Sequence, residues 1–426
     1  MPGTDQQAGA ARPSGTTLPS PSAAAHQQAS STAAAQPPAT AAQIALLLPL
    51  TGPAASASAS VRDGFMTGYY TGPASGRPRI RIYDTGGASI AQVVERASED
   101  HADFIVGPLT RQAVAAAAGL TGPRPPILAL NFLPAGESAP GAFYQFALSP
   151  VAEARQVARR IIADGHRHGI ALVPWGDWGS RVLAAFQQEL SADGGTLLET
   201  ARFDPGLTDF GPAVTAVLGV DGSEARRRQL ESLLGSKLAF EPRRRTDIDF
   251  IFEASETAPT ARLLRGQLRF YLAGDVPAYA TSDSFEPDPL ADEDLEGLEF
   301  PDMPWMLGSG LSDGVHAVAE SAWPVEGPAR GRLFAFGFDA YRLLNALRNA
   351  PAGAPISVEG LTGNLTLDAQ RRVERQLEWA QMRGGVPHLL PPPAGIVSPA
   401  AASPPTRQPP PAGSAPPEPA PAPAPR

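Results

Sequence analysis

The stretch Gln43-Ile-Ala-Leu-Leu-Leu-Pro-Leu50, followed by Thr51-Gly52-Pro53, decides the fold. A short continuous apolar run bounded by turn residues predicts a strand buried on both faces, as inside a parallel sheet. Pro53 suits the first turn of a helix, with Thr51 or Gly52 as its cap, so a helix is predicted over about 54–70. Working outward, Arg79-Ile-Arg-Ile-Tyr-Asp84 alternates and reads as a second strand. Ile90, Val93, Val94 and Ala97 recur at helical spacing. Phe104-Ile-Val106 is a third strand, 110–120 an Ala-rich helix, and Pro126-Ile-Leu-Ala-Leu-Asn131 a fourth strand. Four rounds of strand and helix imply a parallel sheet with helices on both faces.

The rhythm restarts at Ser149-Pro150, which opens a long helix with Val151, Ala154, Val157, Ala158, Ile161 and Ile162 on one face. Strands are predicted at 170–174, 196–202, 247–252 and 277–281, and helices at 180–190, 209–218, 223–236 and 257–270. Residues 283–327 are poorly periodic and read as crossover loops. A long helix follows over about 330–349. Leu361–Leu367 reads as a hairpin turning at Gly363-Asn364, and Arg371–Met382 as a last helical piece. The chain is thus an α/β protein with two lobes, each a mostly parallel sheet flanked by helices. The first lobe is assigned to 41–146 plus about 298–352, and the second to 147–283 plus about 356–390.

The ends differ in kind. Residues 1–40 are Ala, Ser, Thr, Gln, Pro and Gly with almost no large apolar residue, too few to offset the entropy of ordering. They read as a disordered linker. Residues 391–426 hold fifteen prolines and read as a solvated, Pro-rich tail. Net charge is −9 and no long basic run interleaves with aromatics, so nucleic-acid binding is not expected. The clusters Arg226–Arg228 and Arg243–Arg245 read as solvated faces. There is no cysteine, which excludes disulfides, thiolate nucleophiles and Cys-ligated zinc.

In open parallel sheets ligands sit beyond the carboxyl ends of the strands. The candidate cleft residues there are Thr51, Gly52, Asp84, Gly107, Pro108, Leu109 and Asn131 in the first lobe. Trp175, Asp177, Trp178, Ser282 and Asp283 hold the same places in the second. Glycines let backbone N–H groups approach a ligand, and helix N-termini favour anionic groups; ordinary turn and cap roles suit each residue as well. Trp305 is either a partner-interface anchor or a residue buried between the lobes. Enzyme motifs are missing. Lys237 is the single lysine and sits in neither a Ser-x-x-Lys nor a Gly-Lys-Ser/Thr setting. No nucleophile elbow, dinucleotide fingerprint or His-Glu-x-x-His occurs. His166 and His168 lack further ligands nearby in sequence, and Asp288–Glu299 lacks calcium-loop spacing. No catalytic residue, metal or cofactor is expected.

Several segments in order carry a family likeness: Ile44–Gly52, Ile105-Val-Gly-Pro-Leu109, Arg244-Arg-Thr-Asp-Ile-Asp-Phe-Ile-Phe252, Ala261–Arg265, Pro277–Ser282 and Pro301-Asp-Met-Pro-Trp305. Together, over about 43–385, the chain resembles the LppC/LpoA family of penicillin-binding-protein activator lipoproteins. The resemblance implies a type I periplasmic-binding-protein-like fold. It further implies a periplasmic, non-enzymatic activator that binds a class A penicillin-binding protein and stimulates peptidoglycan transpeptidation. A solute-binding receptor, or a sensor holding a small molecule or cell-wall fragment between the lobes, is the alternative. Long members of the family carry an N-terminal helical-repeat domain that residues 1–40 do not resemble. Attachment to the outer membrane through a lipid is expected only with a start upstream of Met1, because a lipid anchor needs a cysteine.

Overall fold

The computed structural model describes residues 42–134, 136–288, 292–322, 331–351 and 353–392. The linker expected at 1–40 and the Pro-rich tail from 393 lie outside the described residues. Strand β1 (Gln43–Leu48) carries Ile44 to Leu48 fully buried, and each aliphatic side chain so placed contributes about 1.5–3 kcal/mol. It lies inside a five-stranded parallel sheet ordered β2-β1-β3-β4-β5, with β2 at Arg79–Asp84, β3 at Phe104–Val106, β4 at Ile127–Ala129 and β5 at Phe143–Gln145. The short edge strand β5 was not expected from the sequence. Helices α1 (Ala55–Thr71), α2 (Ile90–Glu99) and α3 (Arg111–Ala118) connect the strands.

The second sheet contains β6 (His168–Pro174), β7 (Thr196–Phe203), β8 (Phe250–Glu253), β9 (Ala278–Tyr279) and β10 (Leu298–Asp302), all parallel. The antiparallel pair β14 (Glu378–Arg383) and β15 (Val386–Leu390) extends it beside β10. Around it run α4 (Pro150–Ala163), α5 (Asp177–Ala192), α6 (Gly211–Val217), α7 (Val220–Leu234) and α8 (Ala258–Phe270). Ser149 caps α4 by accepting from the Ala152 N–H, and Thr257 caps α8 by accepting from Thr260. Apolar clusters fill both faces of each sheet.

Short helix α9 (Pro304–Leu307), α10 (Ser312–Ala322) and the long α11 (Arg332–Asn349) return the chain to the first lobe. α11 packs on α1 at backbone contact. A Cβ at Gly64 would lie 1.9 Å from the Phe334 carbonyl oxygen, and one at Gly337 1.9 Å from that of Val61.

Several readings of the sequence need correction. The segment 298–302 is β10 of the second sheet, not part of the first lobe. Residues 357–376 form an antiparallel sheet, β11 (Ser357–Gly360), β12 (Gly363–Leu367) and β13 (Val373–Gln376), whose Val358, Leu365 and Val373 join the core of the first lobe. Arg371–Met382 is therefore two strands rather than a helix: Val373 and Arg375 point inward on the pleat while Glu374 is exposed, a period of two that overrides helix propensity. Gly363-Asn364 opens β12, and the turn falls at Leu361-Thr362. The buried Asp339 carboxylate accepts from the N–H groups of Leu361 and Thr362 and from the Thr362 hydroxyl, fixing that turn from α11. Helix α1 is capped at Ala54 rather than Thr51 or Gly52. Pro391, read as the first residue of the solvated tail, is instead held to α4, its carbonyl accepting from Arg160 Nη1 at 2.9 Å.

Candidate functional site

The carboxyl ends of both sheets carry the loops where a ligand would sit. On the first edge, Asp84 at the end of β2 draws the β1–α1 loop to itself. Its Oδ1 accepts from Leu50 N (2.8 Å) and Gly86 N (2.8 Å), and its Oδ2 from the Thr51 hydroxyl (2.8 Å). The Gly86 N–H first, then the Thr51 hydroxyl, holds the Asp84 carboxyl below the usual carboxylate range. Thr51 and Gly52 stay exposed. Gly107 adopts φ +103° and presses on β1, where a Cβ would meet the Leu47 carbonyl oxygen at 2.2 Å. Its bond to Pro108 is cis. Asn131 donates to the Leu109 carbonyl at 3.1 Å and accepts from Phe132 N at 3.0 Å. The polar groups of Asp84 and Asn131 are thus engaged in shaping their own loops.

On the second edge Trp175 is 60% exposed, with the Arg202 guanidinium 5.4 Å from its ring centre. Gly176, at φ +112°, turns the chain into α5, so Asp177 stands exposed in the first turn and Trp178 leans on the core. Ser282 is buried, and both its N–H and its hydroxyl donate to Glu153 Oε2, at 3.2 and 2.7 Å. Burial first, then the nearby Glu153, pushes the Asp283 carboxyl up against the opposing pull of Arg332. Trp305 is 2% exposed and stacks between His316 (3.7 Å between ring centres) and Phe334 (5.2 Å). It packs with Met303, Leu361 and Leu377, so a surface-anchor role is corrected to a core one.

The structure assembles a polar seam that the sequence reading missed. The chain crosses between lobes at 146–149, at Met303 and at Leu377. Each crossing brings a charged residue to the same place. Glu153 enters α4 after the first, Asp302 ends β10 before the second, and Arg375 lies in β13 before the third. Arg375 Nη2 pairs with Glu153 Oε1 at 2.8 Å, both side chains being nearly buried. Arg332, first residue of α11, pairs with Asp302 and donates to the carbonyls of Ser282 (2.8 Å) and Phe285 (2.9 Å). Gln156 holds the third crossing on both sides, donating to Arg375 O (3.0 Å) and accepting from Leu377 N (3.2 Å). Burial pushes the Asp302 carboxyl up to about 6 despite the attraction of Arg332. These bonds tie the two lobes together at the crossings. The one local signal was Glu153 four residues after the capping serine; the pairing itself spans 222 residues.

Among the described residues no group of three or more His, Asp or Glu side chains is placed to hold a metal ion. No described helix is long and apolar enough to cross a membrane.

Comparison with known proteins bears on this architecture. A family model described as "LppC putative lipoprotein" matches residues 16–385. The chain is 29% identical over 341 residues to the penicillin-binding protein activator LpoA of Photobacterium profundum, covering 79% of this chain and 55% of that one. It is 29% identical over 343 residues to the LpoA of Vibrio cholerae, covering 79% and 56%. The chain therefore spans about half the length of the curated relatives it matches. In structure it is similar to full-length LpoA from Haemophilus influenzae, with TM-score 0.61, 24% identity, and coverage of 82% of this chain and 59% of that one. It is also similar to a "putative branched-chain amino acid ABC transporter" from Chromobacterium violaceum, with TM-score 0.60, 28% identity, and coverage of 80% and 100%.

Proposed function

The chain belongs to the LppC family, and from that premise we propose that it is a non-enzymatic periplasmic activator of a class A penicillin-binding protein. It works by protein–protein contact, stimulating peptide cross-linking of peptidoglycan. The observation that carries this reading is the family match over 16–385 together with relatives named as activators. The two-lobed fold is compatible with it and does not by itself choose a function. The hydrogen bonds that Asp84 and Asn131 make to their own loops are compatible with it. A lipid anchor at the outer membrane belongs to the same reading.

The test is peptide cross-linking by a purified class A penicillin-binding protein of the same organism, with and without the full chain. Stimulation is expected, and an unchanged rate at saturating chain contradicts the reading. A second reading, a solute receptor, draws on the likeness to the Chromobacterium violaceum protein and on exposed Trp175 at the cleft edge. It expects a rise in melting temperature with branched-chain amino acids, through mass-action stabilisation of the folded state.

A further inference from the structure

Helix α7 departs from the packing of the other long helices among the described residues, α1, α4, α5, α8 and α11, each of which buries at least five residues. Of its 15 residues only Val220 and Ser223 are buried. A helix of that length is marginal in water without an apolar face packed on something. Arg227 supplies part of its support, pairing with Glu231 at 3.0 Å and lying over the Phe240 ring at 5.4 Å. That leaves an apolar stripe with no cover. Arg226, Leu230, Leu233 and Leu234 follow i, i+4, i+7, i+8 spacing and share one side of the helix. Leu233 is 75% and Leu234 62% exposed. Such leucines anchor a helix laid into a groove.

The charge around the stripe is equally specific. The whole chain carries −9, yet residues 220–245 hold seven cations (Arg226–Arg228, Lys237, Arg243–Arg245) against four acids, Asp221, Glu224, Glu231 and Glu241. Arg244 and Arg245 are spent on Asp275, Glu199 and Asp247. Arg226 and Arg228 are exposed and make no ion pair among the described residues. A second copy of this chain is disfavoured as occupant, because an isologous contact would bring together two copies of this stretch that each hold seven cations against four acids. An anionic membrane is disfavoured because Val220–Leu234 sets three acids (Asp221, Glu224, Glu231) against its three arginines and has no aromatic residue to sit at an interface.

We propose that the α7 arm is the surface by which the chain grips its protein partner. The complement is an apolar groove that takes Leu230, Leu233 and Leu234, with an acidic rim where it meets Arg226. This rests on the activator reading, which supplies the partner: the groove lies on the class A penicillin-binding protein.

The experiment is a binding titration of the full chain against the purified, detergent-solubilised synthase of the same organism. Wild-type chain binds. Leu233→Glu weakens binding roughly tenfold or more, as anchor residues do, with an unchanged melting temperature. Leu233→Met retains it. Arg226→Glu weakens it most at low salt. Wild-type binding with Leu233→Glu indistinguishable from it overturns the arm assignment and leaves the activator reading standing. No wild-type binding overturns both. Two further results overturn the assignment in favour of another occupant. One is a wild-type dimer in sedimentation that Leu233→Glu dissociates. The other is wild-type co-sedimentation with phosphatidylethanolamine–phosphatidylglycerol vesicles that Leu233→Glu abolishes.

Discussion

The polar seam at the lobe crossings and the α7 arm are opposites. In the seam, charge is buried and met by opposite charge: Glu153 by Arg375, Asp302 by Arg332. On the arm, hydrocarbon is exposed and meets nothing, with Leu233 and Leu234 in solvent. Both arrangements cost free energy relative to the reverse placement. The seam's cost is offset inside the molecule, by pairs that join three separate crossings and fix how the lobes meet. The arm's cost is offset only by something outside. A two-lobed binding fold invites attention to its cleft, but an exposed apolar stripe also stands on α7.

Breaking the seam carries the largest expected effect. Arg375→Leu leaves the Glu153 carboxylate buried without its cation, and should cost about 3–5 kcal/mol in urea unfolding. An effect below about 1 kcal/mol would mean the pair is solvated and the crossings are loosely held.

A buried acid outside the seam sharpens the contrast. Glu253, at the end of β8, has neither carboxylate oxygen hydrogen-bonded among the described residues, and burial pushes it up to about 7 against the pull of Arg265. The folded protein holds this proton longer than the unfolded chain, whose value is 4.5. Its contribution to stability is therefore fully present below about pH 4.5 and is lost as pH rises to about 7. Glu253→Gln should stabilise the protein by up to about 3 kcal/mol above pH 7 and by nothing from this group near pH 4.5. A pH-independent difference between variant and wild type would contradict this.

Smaller effects follow. Gly337→Ala drives a methyl onto the Val61 carbonyl in the α1–α11 contact, and should cost about 1–3 kcal/mol in the same unfolding measurement. On the arm, Leu233→Glu should change stability by no more than about 0.5 kcal/mol, as exposed substitutions do. If it destabilised the protein strongly, the arm would be part of the core and the contrast would collapse.

The fold was legible where apolar pattern and local signals agree. Ile44–Leu48 is a continuous run because both faces of β1 are covered. Ser149-Pro150 and Thr257 mark their helices by local chemistry. Legibility failed where a distant group decides. Asp339 sets the Leu361-Thr362 turn from a helix more than twenty residues earlier, so Gly363-Asn364 misled. Arg371–Met382 is rich in helix formers, and only pairing with β12 and β10 makes it strand. Strand β5 has three residues and little pattern of its own.

Candidate cleft residues were found by position in the topology, which is general to such folds. The seam was hidden because its paired members are 30 to 222 residues apart and look like ordinary surface charges in sequence. The arm was visible as two arginine clusters, read as a solvated face. What the sequence could not display was that Leu230, Leu233 and Leu234 are largely exposed.

The most direct measurement compares stimulation of peptide cross-linking by two single variants of the full chain, Leu233→Glu on the arm and Trp175→Ala at the cleft edge. The arm variant should lose most of the stimulation while the cleft variant keeps it. Full stimulation by Leu233→Glu with loss in Trp175→Ala would place the working surface in the cleft and contradict the arm assignment.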